Sequence, residues 1–427
     1  MNSDTTFENV YPFSEIVEIN PPRTIKKGTI IKYVSMESVE PRRKHVSKIE
    51  YRKYNGGSKF MNNDILFARI TPSLEHGKTC VVDFLEEGEV GAGSTEFIVI
   101  SSRVGKTIPD YVYYLTTSNL VRELSIKSMT GTSGRQRVDS NVFDSIIVPV
   151  PPLNEQKAIA KILSDLDSKI ELNQKMNKTL ESIAQAIFKH WFIDFEFPNE
   201  EGKPYKSSGG EMIDSELGKI PMGWEVKKLK DVLREIVSGS RPKGGIDKTL
   251  SNGIPSIGAE NINGLGYYDF SKTKYVTYEF FNTNKKGLVM DRDVLLYKDG
   301  AQLGRKTIFG GGFPFVTYMI NEHVFILRVE KELSQGYLYF WLDRKDVTEA
   351  IKGLNTNSAQ PGLNKEAVGS LRILVPPPQT LLQFDLFISF LLDRIFNNAL
   401  NTKTISEIRD LLLPKLISGK IRVPLGE

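Results

Sequence analysis

The residues in this 427-residue chain best suited to chemistry are cations set among hydrogen-bonding and aromatic side chains. Between Pro41 and Tyr54, Arg42, Arg43, Lys44, Lys48, Arg52 and Lys53 stand against Glu50 alone, with His45, Tyr51 and Tyr54 interleaved. Lys and Arg neutralise phosphates, and Arg also matches the guanine edge. A second polar loop, Gly131–Arg137, offers Ser133, Arg135, Gln136 and Arg137, and Arg69 closes a strand-like run before it. Further along come Arg241 and Lys243, then Gln302, Arg305 and Lys306, then Asn357, Ser358 and Gln360. Asn and Gln suit adenine edges. No one of these loops is specific. Their recurrence at comparable places in two halves of the chain argues for two DNA-reading faces. With a net charge of only +4, any such surface must be local.

Other patterns imitate active sites and fall short. Asn20-Pro21-Pro22-Arg23 resembles an amino-methyltransferase signature, but has Arg where an aromatic side chain should stack on a flipped base. No Gly-rich cofactor loop accompanies it, so Pro21-Pro22 reads as a stiffened loop. Gly77-Lys78-Thr79 lacks the upstream glycine of a phosphate loop, because position 72 is Pro. Asp110 and Glu155 loosely mimic a nuclease carboxylate set, but Glu155 opens a helix, where its charge favours the dipole. His45, His76, His190 and His323 have no metal-ligand spacing, and His190, beside Trp191, reads as packed or capping. The single cysteine, Cys80, excludes an intrachain disulfide and reads as a small packed residue. Catalysis, cofactor and metal are therefore not expected. Without an apolar run of about 18 residues or a signal peptide, the expected location is the cytoplasm, with no membrane partner.

The frame that must position these loops occurs twice. Val150-Pro151-Pro152 returns as Val375-Pro376-Pro377, 225 positions on. In the first copy Thr29–Val34, Asp64–Phe67, Thr79–Val82 and Glu96–Ile100 read as strands, and Pro109–Leu124 as a helix. Asp293–Lys298 repeats Asp64–Arg69, and Tyr337–Trp341 repeats Tyr111–Leu115. After each proline run comes a long helix with an apolar seam stepping by four and three. The first seam is Ile159, Leu163, Leu166, Ile170, Asn173, Asn177, Leu180, Ala184, Ile187 and Trp191. The second is Phe384, Ile388, Leu391, Ile395, Asn398, Thr402, Ile405, Arg409, Leu412 and Leu416. A period of 3.5 over more than four heptads predicts a coiled coil, and the simplest partner for each helix is the other. The polar layers Asn173/Asn177 and Asn398/Thr402 lie near both midpoints and should meet. Midpoint matching suits parallel and antiparallel pairs alike. The expected divisions are 1–150, a first helical segment 151–197, a Gly-, Ser- and Pro-rich linker 198–223, a second globular region 224–375 and a second helical segment with tail 376–427.

This constellation resembles the specificity subunit of type I restriction-modification enzymes. The resemblance rests on Val148-Pro-Val-Pro-Pro-Leu-Asn-Glu-Gln156 and the helix after it, the connector ending Pro221-Met222-Gly223-Trp224, and Leu413-Pro-Lys-Leu-Ile-Ser-Gly-Lys-Ile421. The second copy departs from it, since Glu-Gln does not directly follow Pro376-Pro377-Pro378. The resemblance implies an α+β chain with a pseudo-two-fold internal repeat. Its two mixed α/β target-recognition domains are joined by two long helices in an antiparallel coiled coil. It implies a non-catalytic subunit that binds a bipartite double-stranded DNA target and docks two methyltransferase subunits. Those bring S-adenosylmethionine, and restriction and translocation subunits join through them. In that arrangement the helices set the number of unread base pairs between half-sites. The rival readings are a stand-alone DNA adenine methyltransferase with an unrecognised site, and a scaffold that binds no DNA.

Overall fold

The computed structural model describes residues 7, 9–132, 134–247, 249–354 and 362–424. Two compact units divide the chain, one of residues 1–170 and 404–427, the other of residues 171–403. Each takes part of both long helices.

In the first unit, Val17–Ile19, Phe97–Ser102, Ile65–Ala68 and Thr79–Val81 form a four-stranded antiparallel sheet in that order. Ile65–Ala68 is buried at every residue, because the sheet is covered on both faces. One face meets the core of Phe13, Phe67, Tyr111, Phe143 and Leu163; the other meets Val34, Phe60, Leu66, Cys80 and Val99. A second sheet orders Glu50–Lys53, Ile30–Val34, Gly91–Gly93 and Ser58–Phe60, with one parallel pair. Gly91 and Gly93 are required there, since a Cβ would lie 2.4 Å from the Phe60 ring at Gly91 and 2.8 Å from the Val34 carbonyl at Gly93.

The second unit repeats the plan. Leu233–Ser238, Val324–Val329, Val294–Tyr297 and Lys306–Ile308 form the same antiparallel order. Lys274–Val276, Ile254–Ile257 and Met319–Ile320 give the smaller sheet, again with one parallel pair. An isolated bridge, Leu288 to Met319, stands where the first unit has its fourth strand.

Each proline run ends a two-stranded ribbon, Val10–Pro12 with Ile147–Pro149 and Glu225–Lys228 with Arg372–Val375. The long helices, Leu153–Phe192 and Pro378–Ile417, have 40 residues each. They run antiparallel in both units. In the first, Arg409 Nη1 donates to Asp167 (2.8 Å) and Arg422 Nε to Glu155 (2.6 Å). In the second, the Phe192 and Phe384 rings meet at 4.8 Å, and Asn398 Nδ2 donates to Asn177 Oδ1 at 2.9 Å. Of the seam residues, Ile159, Leu163, Ile170, Asn173, Asn177, Ala184, Trp191, Phe384, Ile388, Ile395, Asn398 and Leu416 are buried; Leu166, Leu180, Ile187, Leu391, Thr402, Ile405, Arg409 and Leu412 are half-buried. Asn177 also donates to the Ile395 carbonyl, and Thr402 to that of Asn398. Burial of Leu392, Phe396 and Ala399 widens the second stripe beyond the expected seam.

Four local expectations change. Pro109–Leu124 is two helices, Pro109–Thr117 and Asn119–Lys127, because Ser118 is extended between them (φ −65°, ψ 155°). Residues 198–223 are folded rather than a free linker: Tyr205 stacks on Phe197 at 4.6 Å, Phe197 meets Trp224 at 4.9 Å, and Met212–Ser215 pairs with Gly218–Pro221. His190 is exposed, outside the stripe that buries Trp191. The Glu155 carboxylate is buried and gripped by Arg422 from the C-terminal segment, so it does more than favour a helix dipole.

Candidate nucleic-acid interface

The first basic segment divides by burial. Lys48 and Lys53 are exposed. Arg52 is exposed too, sits 4.3 Å over the Tyr33 ring and donates through Nε to Glu50 at 2.8 Å. With Tyr33, Lys53 and Tyr54 it lines an open hollow of about 440 Å³, floored by Gly56 and Gly57. A Cβ on Gly57 would meet the Gly93 carbonyl at 2.2 Å. Cations beside tyrosine faces in a shallow hollow suit a phosphate backbone with adjoining bases.

Arg42 lies apart from that hollow. Its backbone is left-handed (φ 58°), its N–H donates to the Gly77 carbonyl, and its side chain lines a cleft of about 270 Å³ with Arg122, Arg409, Tyr113 and Tyr114. Burial and the neighbouring Arg42 charge pull the Arg122 pKa down. Burial works against the Arg409 charge as well, but Asp167 and Asp410 overcome it and hold the guanidinium above its usual range. Arg43 is half-buried beside Glu40. Lys44 turns inward: it is 9% exposed, 2.8 Å from Asp110 and 2.9 Å from Ser164 Oγ. That pairing satisfies its ammonium and takes it out of the expected contact set.

Strand-like pairing shapes the loop ending at Arg137. Thr130 pairs with Arg137, Ile70 bridges Arg137, the Val138 N–H donates to the Arg69 carbonyl, and Gln136 exchanges hydrogen bonds with Thr71. Arg69, Gln136 and Arg137 thus come together, while Arg135 stands exposed at the tip. Arg137 binds both oxygens of Glu96, and this contact lowers the Glu96 pKa. Ser133 lies outside the described residues.

In the second unit, Arg241, Lys243, Gln302 and Arg305 are exposed. Arg241 lies 3.0 Å from Glu322, and Arg305 donates to Asn263. Lys306 turns inward as Lys44 does, though at a different place in the frame: 7% exposed, it donates to Thr348 Oγ1 (2.7 Å) and faces Asp343 (3.6 Å). Burial pulls its pKa down while Asp343 works against that shift. Asn357, Ser358 and Gln360 lie outside the described residues.

Sequence reasoning passed over Lys298. The Leu363 N–H donates to the Lys298 carbonyl just as Val138 does to Arg69. The matched runs Asp64–Arg69 and Asp293–Lys298 held the signal. The imitated active sites also resolve. Arg23 of Asn-Pro-Pro-Arg forms a buried ion pair with Asp64 and donates to the Lys59 carbonyl, so it braces a loop. Among the described residues no His, Cys, Asp or Glu group has metal-binding geometry, and no helix is long and apolar enough to cross a membrane.

Comparison with known proteins agrees over nearly the whole chain. Residues 6–182 and 221–410 match the type I restriction modification DNA specificity domain. The type I restriction enzyme MjaIX specificity subunit of Methanocaldococcus jannaschii is 29% identical over 332 residues, covering 74% of this chain and 70% of that protein. The HindI specificity subunit of Haemophilus influenzae is 25% identical over 414 residues, covering 84% and 86%. The crystal structure of a type I restriction-modification system S subunit from M. genitalium shares the fold, with a TM-score of 0.54 at 14% identity, covering 98% of this chain and 97% of that one. Two matched domains, two repeated frames and a pair of antiparallel helices lead to one assignment: the chain belongs to the type I restriction-modification DNA specificity family.

Proposed function

We propose that this chain gives a type I restriction-modification complex its DNA sequence specificity, each unit reading one part of a two-part target. The observation that carries the reading is the repeated frame: one sheet order, displayed twice, with different cations and amides in the loops. Frames that match while their loops differ suit two readers of different half-sites. On this reading residues 1–150 and 224–375 are the recognition domains, 151–197 and 376–427 the spacer helices, and 198–223 their connector. The contact residues are the exposed set: Arg42, Lys48, Arg52, Lys53, Arg135 and Arg137 in the first unit, and Arg241, Lys243, Gln302 and Arg305 in the second. The chain is the recognition subunit, and chemistry belongs to its partners. Two methyltransferase subunits dock on the helices, restriction and translocation subunits join through them, and the complex works in the cytoplasm.

Salt-dependent filter binding of the full chain to random duplex tests DNA contact. Affinity should fall steeply with salt, with a log–log slope of about −0.9 per phosphate contact. Lys48→Ala with Lys53→Ala should flatten the slope by roughly one to two contacts. No binding to duplex even at low salt would favour the scaffold reading, and methyl transfer by the chain alone would favour the enzyme reading.

A further inference from the structure

The cleft beside Arg42 holds positive charge that the chain does not neutralise. Three arginines line it, Arg42, Arg122 and Arg409, against Asp167 and Asp410. Arg409 holds both aspartates, each at 2.8 Å. Arg42 reaches Asp410 only at 3.9 Å, with its side chain 63% exposed. Arg122 gives its hydrogen bonds to backbone carbonyls, those of Leu74 and Glu75. The strongest charge acting on Arg122 is that of Arg42, which repels it. Both side chains cross Gly77, where a Cβ would lie 3.3 Å from Arg42 Cγ and 3.8 Å from Arg122 Nε. Two guanidiniums brought together in this way are matched by an anion from outside the chain.

The second unit closes the same place with its own side chains. Thr79 and Lys306 are equivalent, because they pair with Phe67 and Leu296, the same residue of the two matched strands. Thr117 and Asp343 each end a nine-residue helix, and Arg122 and Thr348 are each the fourth residue of the next. Thr79, Thr117 and Arg122 line the open cleft of about 270 Å³. Lys306, Asp343 and Thr348 instead satisfy one another, with Lys306 Nζ 2.7 Å from Thr348 Oγ1 and 3.6 Å from Asp343. The helix starts differ likewise. Asn119–Lys127 has no acidic residue in its first turn and no side-chain cap, and Asn119 lines the cleft. Lys345–Gly353 carries Asp346 in its first turn. A helix start favours an anion, and only the second copy supplies its own.

We propose that the cleft of the first unit is a phosphate site, with Arg42 and Arg122 as its cations, and that the second unit has none at the equivalent place. A phosphate has oxygens enough for both guanidinium forks and for the helix start. Two sources supply that chemistry. One is the backbone of a bound duplex, which rests on the DNA reading above; the other is a free phosphate or phosphate ester, which does not.

Amide exchange of the full chain tests the site, in inorganic phosphate against chloride at matched ionic strength, and separately with random duplex. Inorganic phosphate should slow exchange severalfold at residues 74–78 and 119–122. Residues 345–348 are the control for the general stabilising effect of phosphate and should not share that protection. Arg122→Gln should remove it, and Arg122→Lys should keep part of it. Arg42→Gln, at an exposed position, repeats the test if Arg122→Gln loosens the turn at Leu74–Gly77. Thr79→Lys, Thr117→Asp and Arg122→Thr together should close the cleft as the second unit does and abolish the effect.

Duplex binding separates the sources. If a DNA phosphate fills the cleft, duplex protects 119–122 and Arg122→Gln flattens the log–log salt slope by about 0.9, one contact. If a free phosphate fills it, inorganic phosphate protects 119–122 while the slope is unchanged. Three results would overturn the proposal: no protection of 119–122 by either probe, equal protection of 345–348 by inorganic phosphate, or full protection in both Arg122→Gln and Arg42→Gln. Protection by inorganic phosphate in a chain that binds no duplex would overturn the DNA reading and leave the site standing.

Discussion

Asp64 and Asp293 occupy the same turn in the two recognition frames, yet different cations neutralise them. Each carboxylate accepts the N–H three residues earlier, from Met61 and Met290, and follows a left-handed residue, Asn63 or Arg292. In the first unit Arg23 reaches Asp64 from a loop, and Ser101 adds a hydroxyl. In the second, Arg328 stands where Ser101 stands on its strand and holds both Asp293 and Glu235. The turn needs a buried carboxylate, and the carboxylate needs a cation, but the cation's origin is free to drift. Where a backbone group sets the demand, the solution is kept. Tyr111 donates to the Pro149 carbonyl, and Tyr337 to that of Leu374. At the helix entrances the copies diverge again. Gln156 is fully buried, accepts the Ile108 N–H and donates to the Lys106 and Pro151 carbonyls. Its counterpart is Leu381, and Ser334 caps the corresponding short helix itself by accepting the Tyr337 N–H.

The largest effect should come from breaking a buried ion pair. Arg328→Met leaves Asp293 charged and unpaired, at a cost of about 3–5 kcal/mol. Amide exchange should speed up in Val294–Tyr297 and Val324–Val329. Arg23→Met should do the same to Ile65–Ala68 in the first unit. If either change loosened both units alike, the two frames would not be stabilised separately. Next are the tyrosines: Tyr111→Phe and Tyr337→Phe each strand one buried carbonyl, costing about 1–3 kcal/mol. Near-equal losses would support a shared role, and a loss in one copy alone would deny it. The smallest effect is pH-dependent. Arg137 lowers the folded-state pKa of Glu96, so the stabilisation is present above the unfolded glutamate pKa and is lost as pH falls through the lowered value. Arg137 is solvent-exposed, so screening keeps the contribution of this pair small. The protection of the Arg137 backbone N–H, taken relative to its intrinsic exchange rate at each pH, should fall on acidification, more than that of the residue-137 N–H in an Arg137→Ala control.

Much of the frame was legible because it rests on periodicity and repetition. The four-and-three seam, the matched Asp64 and Asp293 runs and the paired tyrosines lie within short windows or at a fixed offset. Contacts that depend on tertiary pairing were not legible. Nothing near Lys44 in sequence announces Asp110 or Ser164, and nothing near Lys306 announces Thr348, so both read as surface cations. Glu155 was legible as a helix-start acid, but its partner Arg422 is 267 positions away. The polar composition of residues 198–223 suggested a free linker, since the stacking of Tyr205 on Phe197 depends on a turn that composition does not encode.

Two independent readers on one repeated frame should be separable by exchanging one of them. Residues 224–375 would be replaced by the equivalent region of another specificity subunit. The chimera and the parent would each be expressed with the methyltransferase partner, and the methylated motif read by methylome sequencing. One half of the two-part motif should change while the other half stays as it was. A chimera that forms the complex and methylates DNA, but changes both halves or neither, would contradict it.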